Sequence, residues 1–369
     1  MNTRMMSTSL SMILACVTLQ QCTFACSPRS TKNIEISKLV KQFIIPLTGS
    51  VLSFSSTVPS PAHGSANDLQ SDYDPSYERI YDTYHKSYIP ANPYKYLVNN
   101  LKKTNVITIG EIHSNICHHK LQFDIIRAVS SIKSPSTTAI GLECFYRQHQ
   151  VYLDRFVYVH QDLARLKYET DWDSTWGYDL NYYAKIFSYA AKHKIRLVGL
   201  NLPYPVAKLV SEVGMAKIPD KLRAVLPDID LNVKSHKQRF IANIGDASHF
   251  VNDPSQLDRL YETQTLWDEY MSESAAQYLD KFPTSTLVII AGLGHVQGRV
   301  AIPDRLSKRI HSRPFVIIPQ SVRWNRVNGL PILNEPLSPT EGDWIWYVTY
   351  LIFHLMTVID CNYCIVLFR

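Results

Sequence analysis

From residue 96 onward, short continuous apolar runs alternate with stretches of helical spacing. Residues 106–109 form the first run, and 138–142, 195–200, 286–290 and 315–318 repeat it, with 345–348 a sixth candidate. Between them, Leu121, Ile125, Ile126 and Val129 fall on one helical side, as do Tyr152, Phe156 and Val159, and 182–193 reads as a further helix. Strands without polar alternation, separated by helices, are buried on both faces, which is the habit of parallel sheets. The pattern therefore predicts an α/β fold: a mostly parallel sheet flanked by helices, with a helical subdomain inserted at about 203–282, before the last strands. The insertion closes with a helix at about 255–278 that turns Leu260, Trp267, Met271 and Tyr278 inward. Ahead of the sheet, Tyr77, Tyr81, Tyr84 and Tyr88 recur at helical spacing, so 68–95 reads as a tyrosine-rich helical lead-in whose stripe packs on the main domain.

Composition alters this picture mainly at the ends. The chain has 369 residues, 46% hydrophobic and 19% charged, with a net charge of +6, which excludes a disordered chain. Seven cysteines in that length exclude a disulfide scaffold. Residues 1–67 hold five of the basic residues, one acidic residue and 19 Ser or Thr, a composition shared with organelle transit peptides. Lys38 and Lys41 then precede an apolar, hydroxyl-rich stretch at 43–58, and a small-residue run at 61–66 suits cleavage. This resembles a bipartite presequence directed to the chloroplast, ending in the thylakoid lumen or at a membrane. A lipobox-like Ile13-Leu14-Ala15-Cys16 and a plain disordered tail are the competing readings. Because the leader accounts for +4 of the +6, and no basic patch interleaves with aromatics, nucleic acid is not expected as a partner. Residues 351–369 form an atypical apolar tail, and its lone Cys361-x-x-Cys364 reads as incidental.

The candidate chemistry is positional. Four strand candidates end in polar residues: Glu111 and His113 after the first, Glu143 and Arg147 after the second, Asn201 after the third, and His295 after the fourth. In an open parallel sheet ligands bind beyond the carboxyl ends of the strands, so these residues converge on one cleft. Glu111 and His113 lie at i and i+2, which suits either a metal ligand pair or a carboxylate orienting an imidazole. Gly110, Gly292 and Gly294 allow close backbone approach or positive φ at the strand ends. His118 and His119 open a helix, facing either the cleft or solvent. Cys117 and Cys144 read as free buried thiols. Gly-x-Ser-x-Gly, Walker A, Gly-x-Gly-x-x-Gly and His-Glu-x-x-His motifs do not occur.

The order of motifs resembles the ChaN-like haem-binding lipoproteins, within the wider Tiki, TraB and erythromycin-esterase-like grouping. It is carried by Ile109-Gly110-Glu111-Ile112-His113 with His118-His119 and Leu121-Gln122, by Gly141-Leu142-Glu143-Cys144-Phe145 with Arg147 and Gln150, and by Trp176 with Tyr182-Tyr183. It continues through Leu197-Val198-Gly199-Leu200-Asn201, residues 264–271, Ala291-Gly292-Leu293-Gly294-His295 and Ile302-Pro303-Asp304-Arg305-Leu306. The resemblance implies haem, or a related tetrapyrrole, bound at a homodimer contact with a tyrosine on the iron. His113, His119, Glu143, Arg147 and His295 are then the cofactor-side candidates, with Arg147 for the propionates, in a plastid protein of haem or iron handling. The Tiki relatives imply an alternative, a metal-dependent hydrolase in which Glu111, His113, Glu143 and His295 hold a divalent ion and act in catalysis.

Overall fold

The structure, a computed structural model, describes residues 79–89, 93–245, 254–324, 331–332 and 341–349. The leader, Tyr77 and the apolar tail with Cys361 and Cys364 lie outside the described residues. Strands β1 (Arg79–Asp82) and β2 (Ser87–Tyr88) precede helix α1 (Pro93–Leu101), strand β3 (Val106–Glu111) and helix α2 (Ile116–Lys133). Then come β4 (Thr138–Tyr146), α3 (Gln150–Arg155), α4 (Leu163–Glu169), α5 (Asn181–His193) and β5 (Arg196–Asn201). The connection from β5 to β6 (Thr286–Gly292) carries α6 (Tyr204–Val213), α7 (Lys234–Ile244) and the long α8 (Pro254–Lys281). Helix α9 (Ile302–Ile310) leads to β7 (Phe315–Trp324), β8 (Pro331–Ile332) and β9 (Trp344–Thr349).

The strands lie in the order β2-β1-β9-β7-β3-β6-β4-β5, with β8 paired to the end of β7. From β9 to β5 every pairing is parallel, and only β1, β2 and β8 run antiparallel to their neighbours. This is the expected α/β architecture. Successive strand residues point to opposite faces, so each run feeds two cores. Val106, Leu287, Ile289, Val316 and Ile318 pack under α6–α9, whereas Ile107, Ile109, Val288, Ile290 and Ile317 pack under α1, α2 and α5. The insertion is helical as expected, and its inward residues Leu260, Trp267 and Met271 join the first core, with Tyr278 packed at its border. Among the described residues no helix is long and apolar enough to cross a membrane.

The tyrosine-rich lead-in departs from expectation. Where it is described it is not a helix but a hairpin, with Tyr81 opposite Tyr88 and their rings 5.5 Å apart. Two local features turn the chain: the Asp82 carboxylate accepts the amides of Tyr84 and His85, and Lys86 takes φ 52°. The deciding partner is distant, because β1 pairs along its whole length with β9 and the Thr83 hydroxyl donates to the carbonyl of Gly342. At the opposite edge, Gln150 stands in for a missing strand. Its amide donates to the carbonyl of Leu197 and accepts from the amide of Gly199, so the outer rim of β5 is partly capped.

Candidate functional site

Strands β3 and β6 run two residues beyond their apolar runs and β4 four, and this carries Glu111 and Glu143 into the sheet as buried side chains. The strand ends do converge, as the topology rule requires. Glu111 is the centre of the first group. Its Oε1 lies 2.8 Å from His113 Nδ1 and accepts the hydroxyl of Tyr183, while Oε2 accepts the amide of Gln122 at 2.8 Å. Burial by itself would raise the carboxyl, but the imidazoles of His119 and His113 and the Tyr183 hydroxyl draw it down to about 2. His113 moves the other way: burial opposes its charge, yet the hydrogen bond to Glu111 and the charge of Glu143 raise it above the usual histidine range. Trp176 and Tyr178 close over its ring, with centroids 4.7 and 5.0 Å away.

The second group is built across the sheet. His295, on the one-turn helix Leu293–Val296 that follows β6, places Nδ1 2.7 Å from Asp268 Oδ1 and Nε2 3.3 Å from Glu143 Oε1. The other Glu143 oxygen accepts the amide of Gly292 at 2.6 Å. Burial disfavours a charged His295, but Glu143 and Asp268 on either side outweigh it and push it up to about 10. The same imidazolium holds Glu143 and Asp268 below the ordinary carboxylate range against the burial that would raise them. A Cβ at Gly292 would stand 2.9 Å from His113 Cε1 and 3.5 Å from Glu143 Oε2, so this position is a steric requirement of the site. Gly110 is likewise crowded, by Leu293, while Gly294 has only a distant neighbour in Asn243; none of the three takes positive φ. His113, Glu143, His236 and His295 line a cavity of about 140 Å³ with Gln264, Asn243, Gln297 and Phe240.

Of the residues expected at the cleft, Glu111, His113, Glu143 and His295 are brought together, and His119 is buried beside Glu111 and His113. Its Nε2 donates to the carbonyl of His113, and its ring stacks on Tyr182. His118 is buried as well, not solvent-exposed, and is pushed down to about 4 by that burial; its Nδ1 accepts the Ile112 amide and its Nε2 donates to Ser321. Arg147 is directed elsewhere. Its guanidinium lies 3.9 Å over the ring of Tyr270 and binds Ser274 and Glu273 of α8, because the chain leaves β4 in a tight turn toward that helix. The thiol of Cys144 is buried and raised well above its usual range, which leaves it protonated. Among the described residues no three His, Cys, Asp or Glu side chains are arranged to hold a metal ion.

Asp268, His236 and Tyr183 are the members that reading the chain missed as site residues. The signal for Asp268 was available: Gln264, Asp268 and Met271 recur at i, i+4 and i+7, which puts an acid on the buried face of α8. His236 offered none, since only the tertiary approach of α7 to α8 makes it a partner of Asp268.

A family model described as haem-binding uptake, Tiki superfamily, ChaN matches residues 97–306, from within α1 into α9 and across both histidine groups. The chain belongs to this ChaN family. Among solved structures, ChaN of Campylobacter jejuni, described with cofacial haem binding, matches with a TM-score of 0.56 at 18% identity. The match covers 73% of this chain and 96% of that one, and it shows a shared fold. The type III effector HopBA1 matches with a TM-score of 0.40 at 13% identity, over 70% of this chain and 94% of that one. An erythromycin esterase, EreC, in its open conformation gives 0.39 at 15% identity, over 62% and 73%. No curated protein matches the chain.

Proposed function

We propose that this ChaN-family chain binds haem or a related tetrapyrrole, and that the ligand lies on the aromatic rim of the strand ends, outside the histidine pocket. The observation that carries this reading is the family match over 97–306. The cavity tests the fit. At about 140 Å³ it is well below the roughly 300–1,000 Å³ of pockets that enclose larger ligands, so a porphyrin has to sit on the surface. A suitable surface exists where two segments meet at Tyr146, whose hydroxyl receives the Tyr204 amide and reaches the carbonyl of Thr175. Trp176 and Tyr178, half-buried with ring centroids 5.5 Å apart, lie there, and Tyr204, 44% exposed at the start of α6, is the phenol proposed as the iron ligand. Haem, when bound, would supply a redox-active, ligand-binding iron, and Trp176, Tyr178 and Tyr204 would hold it.

Haemin titration of the full chain tests this, read in the Soret band. Saturable binding is expected, with a changed iron spectrum in Tyr204→Phe; absence of a saturable shift overturns the reading. We further propose that two copies share the haem and that residues 1–67 direct the chain to the chloroplast. Sedimentation with and without haemin checks the first, and a fluorescent fusion of the leader checks the second.

A further inference from the structure

The wall of the pocket behind His295 contains a chain of side chains that haem binding does not use. Arg305 only donates hydrogen bonds, and it places Nη2 3.2 Å from His236 Nδ1. That nitrogen must therefore hold its lone pair, and the His236 proton resides on Nε2, where it is donated to Asp268 Oδ2 at 2.9 Å. Tyr261 adds its hydroxyl at 3.2 Å from the same Nδ1, and the carboxylate of Glu269 holds Arg305 Nε at 3.0 Å. With one oxygen occupied by His236, Asp268 turns the other to His295 Nδ1 at 2.7 Å, and this contact, shorter than the 3.1 Å to the Gln264 side-chain amide, places the proton on that nitrogen. The second nitrogen of His295 faces Glu143 Oε1. An ionised carboxylate only accepts, so an imidazole between two of them carries both protons. Every member is buried: Asp268 is 0% exposed, Arg305 2% and His236 3%. The groups facing His295 are Asp268 and Gln264 from α8, Glu143 from β4, His113 from the end of β3 and His236 from α7, with Arg239 of α7 in the same cavity lining.

We propose that Arg305, His236 and Asp268 are a positioning chain that holds His295 as a cationic hydrogen-bond donor, and that the pocket binds a small neutral molecule whose carbonyl oxygen takes the proton-bearing Nε2. The contact of Nε2 with Glu143, at 3.3 Å, is longer than the 2.7 Å contact of Nδ1 with Asp268, so it is the one a ligand displaces. Glu143 stays anchored by the Gly292 amide when that happens. A neutral ligand is specified because Glu143 on the same wall balances the charge of His295 and Arg239 of the lining is paired with Glu341, and a small one because the cavity is about 140 Å³. Asn243 and Gln297 supply further polar contacts, and Phe240 and Leu293 supply apolar ones. The proposal does not depend on haem binding.

Nitrogen-15 spectra of histidine-labelled full chain at neutral pH, with acetamide as the probe, test the proposal. In the unaltered protein both ring nitrogens of His295 carry protons, His236 is protonated at Nε2 alone, and acetamide shifts the His295 Nε2 signal saturably. Asp268→Asn leaves His295 neutral and weakens acetamide by about tenfold, the worth of one charge-assisted hydrogen bond. Arg305→Gln releases the fixed tautomer of His236, Arg305→Lys restores it, and Arg313→Gln, at an exposed arginine paired with Asp343, changes nothing. Should Asp268→Asn fail to fold, Glu143→Gln gives the same reading through His295, because it too leaves the ring beside a single carboxylate. A singly protonated His295 in the unaltered protein overturns the proposal. So does a protonation pattern unmoved in folded variants, or an acetamide titration that leaves His295 unshifted.

Discussion

Replacing Glu111 by glutamine isolates the most connected carboxylate in the protein. The substitution keeps size and shape but removes the charge to which His113, Tyr183 and Gln122 all donate. The glutamine oxygen can serve Tyr183 or His113, while its NH₂ faces the Gln122 amide, donor against donor. Leaving such a buried group unpaired costs about 2–4 kcal/mol. A second route gives the same size. The carboxyl stands at about 2 in the fold against an ordinary 4.5, a difference worth about 3 kcal/mol at 1.36 kcal/mol per unit. Because the folded value is the lower one, this stability is present above about 4.5 and is lost as pH falls through about 2. Urea unfolding of the full chain, followed by circular dichroism, should therefore show Glu111→Gln less stable by about 3 kcal/mol at pH 7, with the gap to the unaltered protein closing toward pH 2. A gap below about 0.5 kcal/mol at pH 7, or one independent of pH, would refute the reasoning that Glu111 is held ionised by its three donors.

Other parts of the fold respond in ways specific to their contacts. Gly292→Ala pushes a methyl against the imidazole of His113, 2.9 Å from its Cε1, while its φ of −54° suits alanine; a loss of about 1–3 kcal/mol and a shifted His113 resonance are expected from thermal melts and NMR. Gln150→Leu removes both hydrogen bonds that cap β5, which should cost about 1–3 kcal/mol and raise light scattering near the melting temperature as the edge becomes free to pair. Asp343→Asn weakens the carboxylate that binds Arg299 at 2.7 Å, Arg313 at 2.7 Å and the Val316 amide. A loss of about 2–4 kcal/mol is expected, with hydrogen exchange fastest in β1 and β9, which that corner fastens to β7.

The chain by itself determined where the parallel strands lie and which polar residues end them, because strands buried on both faces need unbroken apolar runs and because function collects where such runs stop. Glu111, His113, Glu143 and His295 were legible for that reason. Local pattern failed where the partner is remote in sequence. The tyrosines at 81, 84 and 88 have helical spacing, yet the free backbone edge of β9, more than 250 residues away, draws Tyr81 and Tyr88 into a hairpin. Arg147 follows β4 as a site residue should, but the ring of Tyr270 and the carboxylate of Glu273 capture it. Tertiary structure alone also decided what the histidines are. A buried imidazole takes its charge from the carboxylates that surround it, and for His295 these come from β4 and from α8, two elements that only the folded sheet brings to either side of one ring.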